Sequence, residues 1–502
     1  MVTICAMTAT IMQALDTTIA NVALPYMQGT LSASQDQINW VLTSYIVAAA
    51  IMTAPVGWIA NRFGRKNIFI ICSAGFTFAS VLCGLAQDIN QMVLFRLLQG
   101  VFGAALVPLS QAVMLDSYAL HERAKAMSIW GMGVMMGPIM GPSLGAWLTE
   151  TYSWHWVFFV NLPFGIFTVL GLMIFMDETK KDLNLRFDWF GFSALAIAIG
   201  SLQLALDRGE QLDWFESNEI IAEFIIAAVG FYYFLAHSFT TSKPFIQFAL
   251  FKDKNFVGGC VFMAVMGLVL YSTMALSSPF LQNVIGYPII TAGVLLASRG
   301  SGTFVAMMLV GRVMRFIEAR TLIICGLSIT AFSLFQMTGW TDQTGVNEIV
   351  VISILQGFGF GLVFVPLSTV AFLTLPGHLR TDGTSMLTLM RNVASSVGIS
   401  IVISQLTHGS ARVYAVLSEH VTPFNHAMQM PNVRGMIDMS TDAGRAMADA
   451  MVKIQAQIIA FSQDYQLVMI FILASIPLTI MIGSSKATLR AQSAPPDHAV
   501  IE

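Results

Sequence analysis

Long apolar runs separated by short polar stretches repeat along almost the whole chain. A helix needs about 20 apolar residues to cross the hydrocarbon core of a bilayer, because each residue advances it by about 1.5 Å. Runs of roughly this length lie at about 4–26, 39–60, 67–87, 92–116, 124–148, 155–176, 189–206, 219–237, 256–282, 289–311, 320–340, 346–374, 383–408 and 464–485. The pattern therefore predicts an all-α integral membrane protein with fourteen spans, which we number in chain order.

The composition excludes a soluble protein. Of the 502 residues, 56% are hydrophobic and only 11% are charged, against roughly 25% charged in an ordinary soluble domain. So few charges cannot coat several water-soluble cores. The net charge of −3 indicates no nucleic-acid partner. The five cysteines lie inside apolar runs and are interpreted as packing residues, and no motif indicates a cofactor or a metal ion, so neither is expected.

The basic residues fall on one side of the predicted spans. That side receives seventeen of them, from Arg62 after span 2 to Arg490 after span 14, whereas the short loops of the opposite side receive only Arg208. Because cytoplasmic loops carry the excess of Lys and Arg, we expect this basic side to be cytoplasmic, with both termini on it. The first apolar run is expected to be retained as span 1, since no basic segment precedes it and Pro25 follows it.

A repeat in the sequence predicts the domain organisation. Residues 98–110 of span 4 recur, with one residue inserted, as residues 355–368 of span 12, and the loop after span 2 has an echo in the loop after span 10. The offset of eight spans exceeds a six-span repeat by two, so spans 7 and 8 are an insertion. The expected units are residues 1–176, a six-helix bundle; 177–243, the inserted pair; 244–486, a second bundle with an outer loop at 409–463; and 487–502, a cytoplasmic tail.

Four motifs occur in a characteristic order. They are LDTTIANVALP at 15–25, GWIANRFGRK at 57–66, RLLQG at 96–100 and GVMMGPIMGP at 133–142. Together they resemble the major facilitator superfamily across nearly the whole chain, and within it the fourteen-span drug:proton antiporters of the EmrB/QacA type. The expected fold is thus the major facilitator fold, with two six-helix bundles plus two inserted helices.

The resemblance implies a function. It implies proton-coupled export of hydrophobic or amphipathic compounds by alternating access, in the inner membrane of a bacterium, rather than enzymatic catalysis. Its partners would be protons, membrane lipid and, as in EmrB-like systems, a periplasmic adaptor and an outer-membrane channel. An exporter of fatty acids or of an endogenous metabolite fits the same features. A non-transporting membrane sensor or adaptor fits the composition but explains neither the repeat nor an acidic residue deep in span 1.

That acidic residue is Asp16. It lies about 18 Å along the helix from Ile4, near the middle of the bilayer, and no other carboxylate in the predicted spans is expected to lie as deep. A charge there costs roughly 3 kcal/mol, so Asp16 must face a cavity, form an ion pair or be protonated. Arg96 in span 4 cannot deprotonate and is its candidate countercharge, although the repeat has Ser353 at that position. We expect Asp16 and Arg96 to couple transport to protons; an ion pair that merely locks span 1 is the alternative.

Further polar residues inside the spans are candidates for substrate contact. Asn21, Gln99 and Arg391 are expected to line the substrate cavity. Arg391 and Arg299 have no acidic neighbour within their own spans. Packing against backbone carbonyls is the alternative role for both arginines, and contact with an anionic substrate remains open for both.

The resemblance also implies a conformational latch on the basic side. Its residues here are Gly57, Asn61, Arg62, Gly64, Arg65, Lys66 and Asp116. The family has an acidic residue at the position of Asn61, which pairs with an arginine and with an acid at the end of span 4. Asn61 cannot titrate, so only the Arg65–Asp116 half keeps its charges and we expect a weaker latch. The alternative is that the cations only set the topology.

Span 5 carries a stripe of small residues. The stripe and its prolines are Gly133, Gly137, Pro138, Gly141, Pro142 and Gly145. Glycines at intervals of four let another helix approach closely, and proline bends a helix. We therefore expect a seal between the two bundles, with ordinary small-residue packing as the alternative.

The outer loop is expected to end in an amphipathic helix. Its apolar residues, spaced alternately four and three apart, are Met447, Met451, Ile454, Ile458 and Phe461. This spacing predicts an outward extension of span 14 that packs on an extension of span 13 or on a partner protein.

Overall fold

Almost every predicted apolar run forms a helix in the computed structural model of the chain. The structure describes residues 1–119, 122–179, 181–182, 185–241, 244–422, 424–430, 437 and 439–482, without the side chains of residues 35, 36, 138, 139, 427 and 481. Within these residues the regular secondary structure is helical throughout. The side chain of Pro138 and the predicted tail, 487–502, lie outside the described part.

The observed bounds follow the predicted runs closely in the first half of the chain. The first six spans are Val2–Thr30 (span 1), Gln35–Thr53 with Val56–Phe63 (span 2), Arg65–Gly84 (span 3), Ile89–Gly103 with Leu106–Ser117 (span 4), Arg123–Thr151 (span 5) and Trp156–Phe159 with Asn161–Phe175 (span 6). The others are Trp189–Arg208 (span 7), Asn218–Thr240 (span 8), Lys254–Pro279 (span 9), Ile289–Val313 (span 10), Ala319–Met337 (span 11), Val346–Val370 (span 12), Arg380–Ser418 (span 13) and Asp442–Ser475 (span 14).

The number of membrane crossings is compatible with the prediction. Among the described residues, twelve helices are long and apolar enough to cross a bilayer, or thirteen if the bent pair of span 2 forms one crossing. Span 5 is not among them, although it is 29 residues long; five of those residues are glycine. Counting span 5 gives fourteen, which stays a prediction.

Local sequence explains where several helices begin and bend. Ser34 and Gln37 form a capping box at the start of span 2, and Asp88 accepts a hydrogen bond from the Gln91 amide at the start of span 4. Span 2 bends by 56° next to Pro55. Since proline lacks a backbone donor, the helical ladder is interrupted there.

The glycine stripe of span 5 packs against span 1 in this structure, and the predicted seal between the two bundles stays a prediction. A Cβ at Gly137 would overlap the backbone of Ala14, and one at Gly145 would lie 2.9 Å from the Ile19 carbonyl oxygen. The Thr18 hydroxyl also donates a hydrogen bond to the Gly137 carbonyl at 3.0 Å. Small residues permit close approach by any neighbouring helix, so their spacing could not identify which helix it would be.

The remaining described positions of the stripe and its prolines are Gly133, Gly141 and Pro142. Gly133 faces Met7 and Ile11 of span 1, and a Cβ at Gly141 would overlap the Thr18 hydroxyl. Pro142 lies at a contact with the second half of the chain, where its carbonyl carbon is 3.8 Å from the position of a Cβ on Gly293 of span 10.

Contact between the two halves runs along another face of span 5. Gly131 of span 5 lies against Met307 of span 10, and the rings of Trp130 and Phe364 stack with their centres 5.8 Å apart. Span 5 therefore lies between span 1 and spans 10 and 12.

The predicted inserted helices, spans 7 and 8, lie beside spans 2 and 13, where the two halves also meet. Span 7 packs against span 2 and span 13, and span 8 packs against span 7. Thr43 of span 2 donates a hydrogen bond to Asp207 of span 7, and Gln203 of span 7 donates one to Ser396 of span 13 at 2.7 Å. Span 7 thus bridges both predicted bundles; the division of the chain into domains stays a prediction.

Spans 13 and 14 are longer than a bilayer requires. Their 39 and 34 residues correspond to about 58 Å and 51 Å of helix, against about 30 Å of hydrocarbon. The extensions contact each other through a hydrogen bond from Tyr414 to Asp449. Ile458 and Phe461 are buried, whereas Met447 and Met451 are each 49% exposed and Ile454 is 36% exposed. Span 14 meets span 13 at Ala460, which lies against Gly409, whereas the ring of the seam residue Phe461 packs on Phe280 with 5.3 Å between the ring centres.

We predict that Gly137→Ala destabilises the protein by about 1–3 kcal/mol, because the added methyl group would overlap the backbone of span 1. Gly29→Ala is the matched control, since nothing lies within 4 Å of a Cβ there. Thermal unfolding in detergent measures both. Equal unfolding temperatures for the two variants would contradict the packing described for span 5.

Candidate functional site

Asp16 and Arg96 form an ion pair inside the N-terminal half of the chain. The Arg96 Nη1 atom donates to Asp16 Oδ2 at 2.7 Å. Asp16 is 0% exposed and Arg96 1%. The structure thus brings the two residues of the predicted proton-coupling pair into direct contact.

Two amides complete the surroundings of the Asp16 carboxylate. Gln99 Nε2 donates to Asp16 Oδ1 at 2.8 Å, and Asn161 Nδ2 donates to the same oxygen at 3.1 Å. The amide nitrogen of Asn161 also donates to the Ser80 hydroxyl at 3.0 Å. Asp16, Arg96, Gln99 and Asn161 therefore form one buried cluster, which we call the Asp16 cluster, from spans 1, 4 and 6.

The guanidinium group of Arg96 is fixed by further contacts. Its Nε donates to the Val41 carbonyl at 3.1 Å, and its Nη1 also donates to Gln99 Oε1 at 2.7 Å. The ring of Tyr45 lies over it, with 4.3 Å between the guanidinium carbon and the ring centre. A cation on an aromatic face in a desolvated site is stabilised by the ring quadrupole. Span 2 thus contributes to the site through Val41 and Tyr45.

The contacts of Asp16 fit an ionised carboxylate. All three polar neighbours present N–H groups, which an ionised carboxylate accepts, and the arginine supplies a full positive charge. A protonated acid would need an acceptor, and none of these contacts supplies one. The cluster therefore presents only hydrogen-bond donors to the Asp16 carboxylate.

Sequence reasoning identified Asp16, Arg96 and Gln99 but missed Asn161 and Tyr45. Asn161 lies six residues inside the apolar run 155–176 predicted for span 6, and an amide there was a usable signal. Tyr45 was indistinguishable from ordinary aromatic packing. The two remaining cavity candidates lie apart from the cluster: Asn21 is exposed on span 1, and the Arg391 Nη2 contacts Asn392 at 3.4 Å on span 13.

The second half of the chain contains a buried cation without an acidic partner among the described residues. Arg299 is 6% exposed and donates to the hydroxyls of Thr273 and Ser277 at 3.4 Å and 3.3 Å. The Ser277 hydroxyl lies 3.5 Å from that of Tyr465 on span 14. Arg299 is therefore bound by side-chain hydroxyls rather than by the backbone carbonyls considered from the sequence.

On the basic side, Asp116 connects the two halves of the chain. It forms ion pairs with Arg65, as the latch prediction requires, and with Arg380 at the start of span 13. A Cβ at Gly57 would overlap the carboxylate of Asp382, so spans 2 and 13 are in close contact there. Arg380 and Asp382 were not identified from the sequence, because nothing in one sequence links an arginine in the last third of the chain to Asp116.

The remaining latch candidates hold the loop after span 2. Gly64 has φ +94°, a conformation that favours glycine. Arg62 donates to the Leu185 carbonyl, and Lys66 donates to the Met173 carbonyl at 2.9 Å. The backbone carbonyl of Asn61 accepts from the Asp182 amide at 3.0 Å, and no described contact joins the Asn61 side chain to Arg65 or Asp116.

The fold and the site together define a class: a multi-pass helical membrane transporter, with a buried charged cluster inside one group of spans and an ionic contact between two groups. Sequence comparison identifies the family. The family model described as Major Facilitator Superfamily matches residues 6–399. The chain belongs to the major facilitator superfamily, and it is a transporter of small molecules rather than an enzyme.

Individual relatives are similar over most of the chain. The multidrug export protein EmrB of Escherichia coli K12 is 34% identical over 453 residues, which cover 90% of this chain and 87% of that protein. The fatty acid resistance protein FarB of Neisseria gonorrhoeae is 33% identical, covering 83% of this chain and 82% of its own. Among solved structures, the proton:xylose symporter XylE matches with a TM-score of 0.59 at 13% identity over 95% of both chains, which supports the fold.

We predict that Arg96→Met destabilises the protein by about 3–5 kcal/mol, because it leaves the Asp16 carboxylate buried without its countercharge. Adding Asp16→Asn to Arg96→Met should recover part of this loss, since no uncompensated charge then remains. Chemical denaturation in detergent gives the free energy of unfolding of each variant. A double variant no more stable than Arg96→Met alone would contradict the ion-pair interpretation.

Proposed function

We propose that this transporter exports hydrophobic or amphipathic compounds in exchange for protons, by alternating access. The observation that carries the proposal is the Asp16 cluster, in which a membrane-buried carboxylate is compensated by one arginine and two amides. Because Arg96 cannot deprotonate, any movement that separates it from Asp16 leaves an uncompensated carboxylate, which then takes up a proton. The relatives named for multidrug export and fatty acid resistance support export as the direction.

The contacts between the two halves support a state that is closed on the basic side. Asp116 with Arg65 and Arg380 joins spans 3, 4 and 13 there. The stacked Trp130 and Phe364 join spans 5 and 12. Opening toward the basic side requires these contacts to break, so we assign Asp116, Arg65 and Arg380 to the conformational latch. Residues 1–176 and 244–486 are the two bodies that move, with 177–243 as the inserted pair.

The basic side is the cytoplasmic side of the inner membrane in this proposal. The excess of Lys and Arg in the loops on that side supports the assignment. Substrate would then enter from the cytoplasm or the inner leaflet, and protons from the opposite side.

A partner on the opposite side is a periplasmic adaptor that leads to an outer-membrane channel. The support is the outward extension of span 14, whose Met447 and Met451 are exposed at adjacent turns of one helix face. An apolar stripe of this kind fits the apolar face of a partner helix.

Asp16→Asn should abolish export driven by a pH gradient in proteoliposomes, while substrate binding persists, because the amide cannot exchange a proton. The probes are tetraphenylphosphonium, a lipophilic cation, and dodecanoate, a fatty acid. The control variant is Asp177→Asn, an exposed acid on the basic side. Wild-type rates in Asp16→Asn would contradict proton coupling at this residue, and proton-linked movement of dodecanoate alone would favour the fatty-acid alternative.

The double variant Met447→Asp, Met451→Asp should lose association with a co-expressed adaptor and keep the wild-type export rate in proteoliposomes. Copurification of the transporter and the adaptor from the cells that express both measures the association. Retained association would place the adaptor contact elsewhere.

A further inference from the structure

A second carboxylate is buried in the membrane-spanning part, far along the chain from the Asp16 cluster. Asp464 of span 14 is 0% exposed. Neither of its carboxylate oxygens has a hydrogen-bond partner among the described residues. The sequence placed Asp464 at the edge of a predicted span, since that run was expected to begin at residue 464, whereas the helix starts at Asp442. Asp464, like Asp16, therefore has no solvent-exposed surface, although it does not lie as deep in the membrane.

The position of Asp464 along the membrane normal follows from its neighbours. The Ser462 hydroxyl donates to the Thr338 carbonyl at 2.7 Å, and Thr338 ends span 11 on the opposite side from the basic loops. Asp464 lies about 3 Å deeper along its helix. The next residue, Tyr465, reaches Ser277, which accepts a hydrogen bond from Arg299 at 3.3 Å. Polar side chains therefore continue from the level of Asp464 into the C-terminal half.

The charged and titratable groups on the surrounding elements do not pair with Asp464. Span 14 packs against spans 9, 11 and 13. The groups concerned are Tyr465 on span 14, Tyr271 on span 9, Arg299 behind it on span 10, Arg320 and Cys325 toward the basic end of span 11, Asp342 after span 11, and His408 and Arg412 on span 13. His408, Arg412 and Asp342 are exposed. Within the described residues none of these groups forms an ion pair with Asp464.

An ionised carboxylate in such surroundings is unstable. Burying a charge without a countercharge or hydrogen bonds costs several kcal/mol, and a buried acid avoids this by keeping its proton. Asp16 is the opposite case, because it receives three hydrogen bonds and a countercharge. The surroundings of the two buried acids therefore favour opposite protonation states.

We propose that Asp464 is a second proton-binding residue, which holds a proton in this state while Asp16 is ionised. The carboxylate binds H⁺ from the opposite side while the basic side is closed, and it returns to the anion when movement of span 14 brings water or a cation to it. The only co-reactant is a proton. The role in transport rests on the proposed function, whereas the protonation state does not.

The protonation state is testable without any transport. Infrared spectra of the purified full chain in detergent, in H₂O and in D₂O, report the carbonyl band of protonated carboxyl groups. Asp464→Asn should lose one component of this band, and the matched variant Asp16→Asn should retain it. If Asp464→Asn unfolds, Asp464→Glu should shift that component. A band unchanged by both substitutions at residue 464 overturns the proposal.

The role in transport needs a second readout. In proteoliposomes, Asp464→Asn should lose export driven by a pH gradient. It should keep exchange of tetraphenylphosphonium in the absence of a gradient, because the asparagine is fixed in a neutral form and cannot release a proton. Wild-type driven export in this variant overturns the transport role. If the wild type itself moves no protons with substrate, the proposed function fails, and the infrared result alone decides whether Asp464 is protonated.

Discussion

A charge inside a bilayer must be compensated by the protein itself, and this constraint determines how the polar residues of the chain are arranged. Asp16 meets it with a guanidinium and two amides, so spans 1, 4 and 6 are held in one relative position. Arg299 meets it with hydroxyl groups from span 9. Asp464 meets it by none of these contacts, which leaves a bound proton as the remaining means. The residues around each ionisable group thus determine whether it is stabilised by a countercharge, by hydrogen bonds or by a bound proton.

The two copies of the repeat form corresponding helices but carry different polar residues. Arg96 and Gln99 of span 4 correspond to Ser353 and Gln356 of span 12. Gln99 contacts both Arg96 and Asp16, whereas the Gln356 amide has no hydrogen-bond partner among the described residues. The N-terminal half therefore contains a polar cluster centred on an ion pair, whereas at the corresponding position of the C-terminal half Gln356 has no described partner. Two similar bundles can in this way contribute different steps to one transport cycle.

The sequence was sufficient for the features that depend on composition along a single helix. Hydrophobic run lengths predicted the helices, and the cost of a charge in lipid singled out Asp16 and Arg96. Features that depend on which helices contact each other could not be predicted from the sequence. The glycines of span 5 predicted close packing but not that Ala14 of span 1 would be the neighbour. Arg380 and Asp464 required the fold, because their importance depends on partners, or on the absence of partners, elsewhere in the described chain.

The two kinds of ion pair suit two different tasks. Asp116 is one-third exposed, and its pair with Arg380 crosses between the halves, whereas its pair with Arg65 lies within the first half. An exposed ion pair contributes about 0–1 kcal/mol, so such a contact can form and break as the protein changes state. The Asp16–Arg96 pair is buried within one half, and its separation costs several kcal/mol unless a proton replaces the lost countercharge. The contact that breaks easily therefore lies where the two halves separate. The pair that is costly to break lies where uptake of a proton must accompany the conformational change.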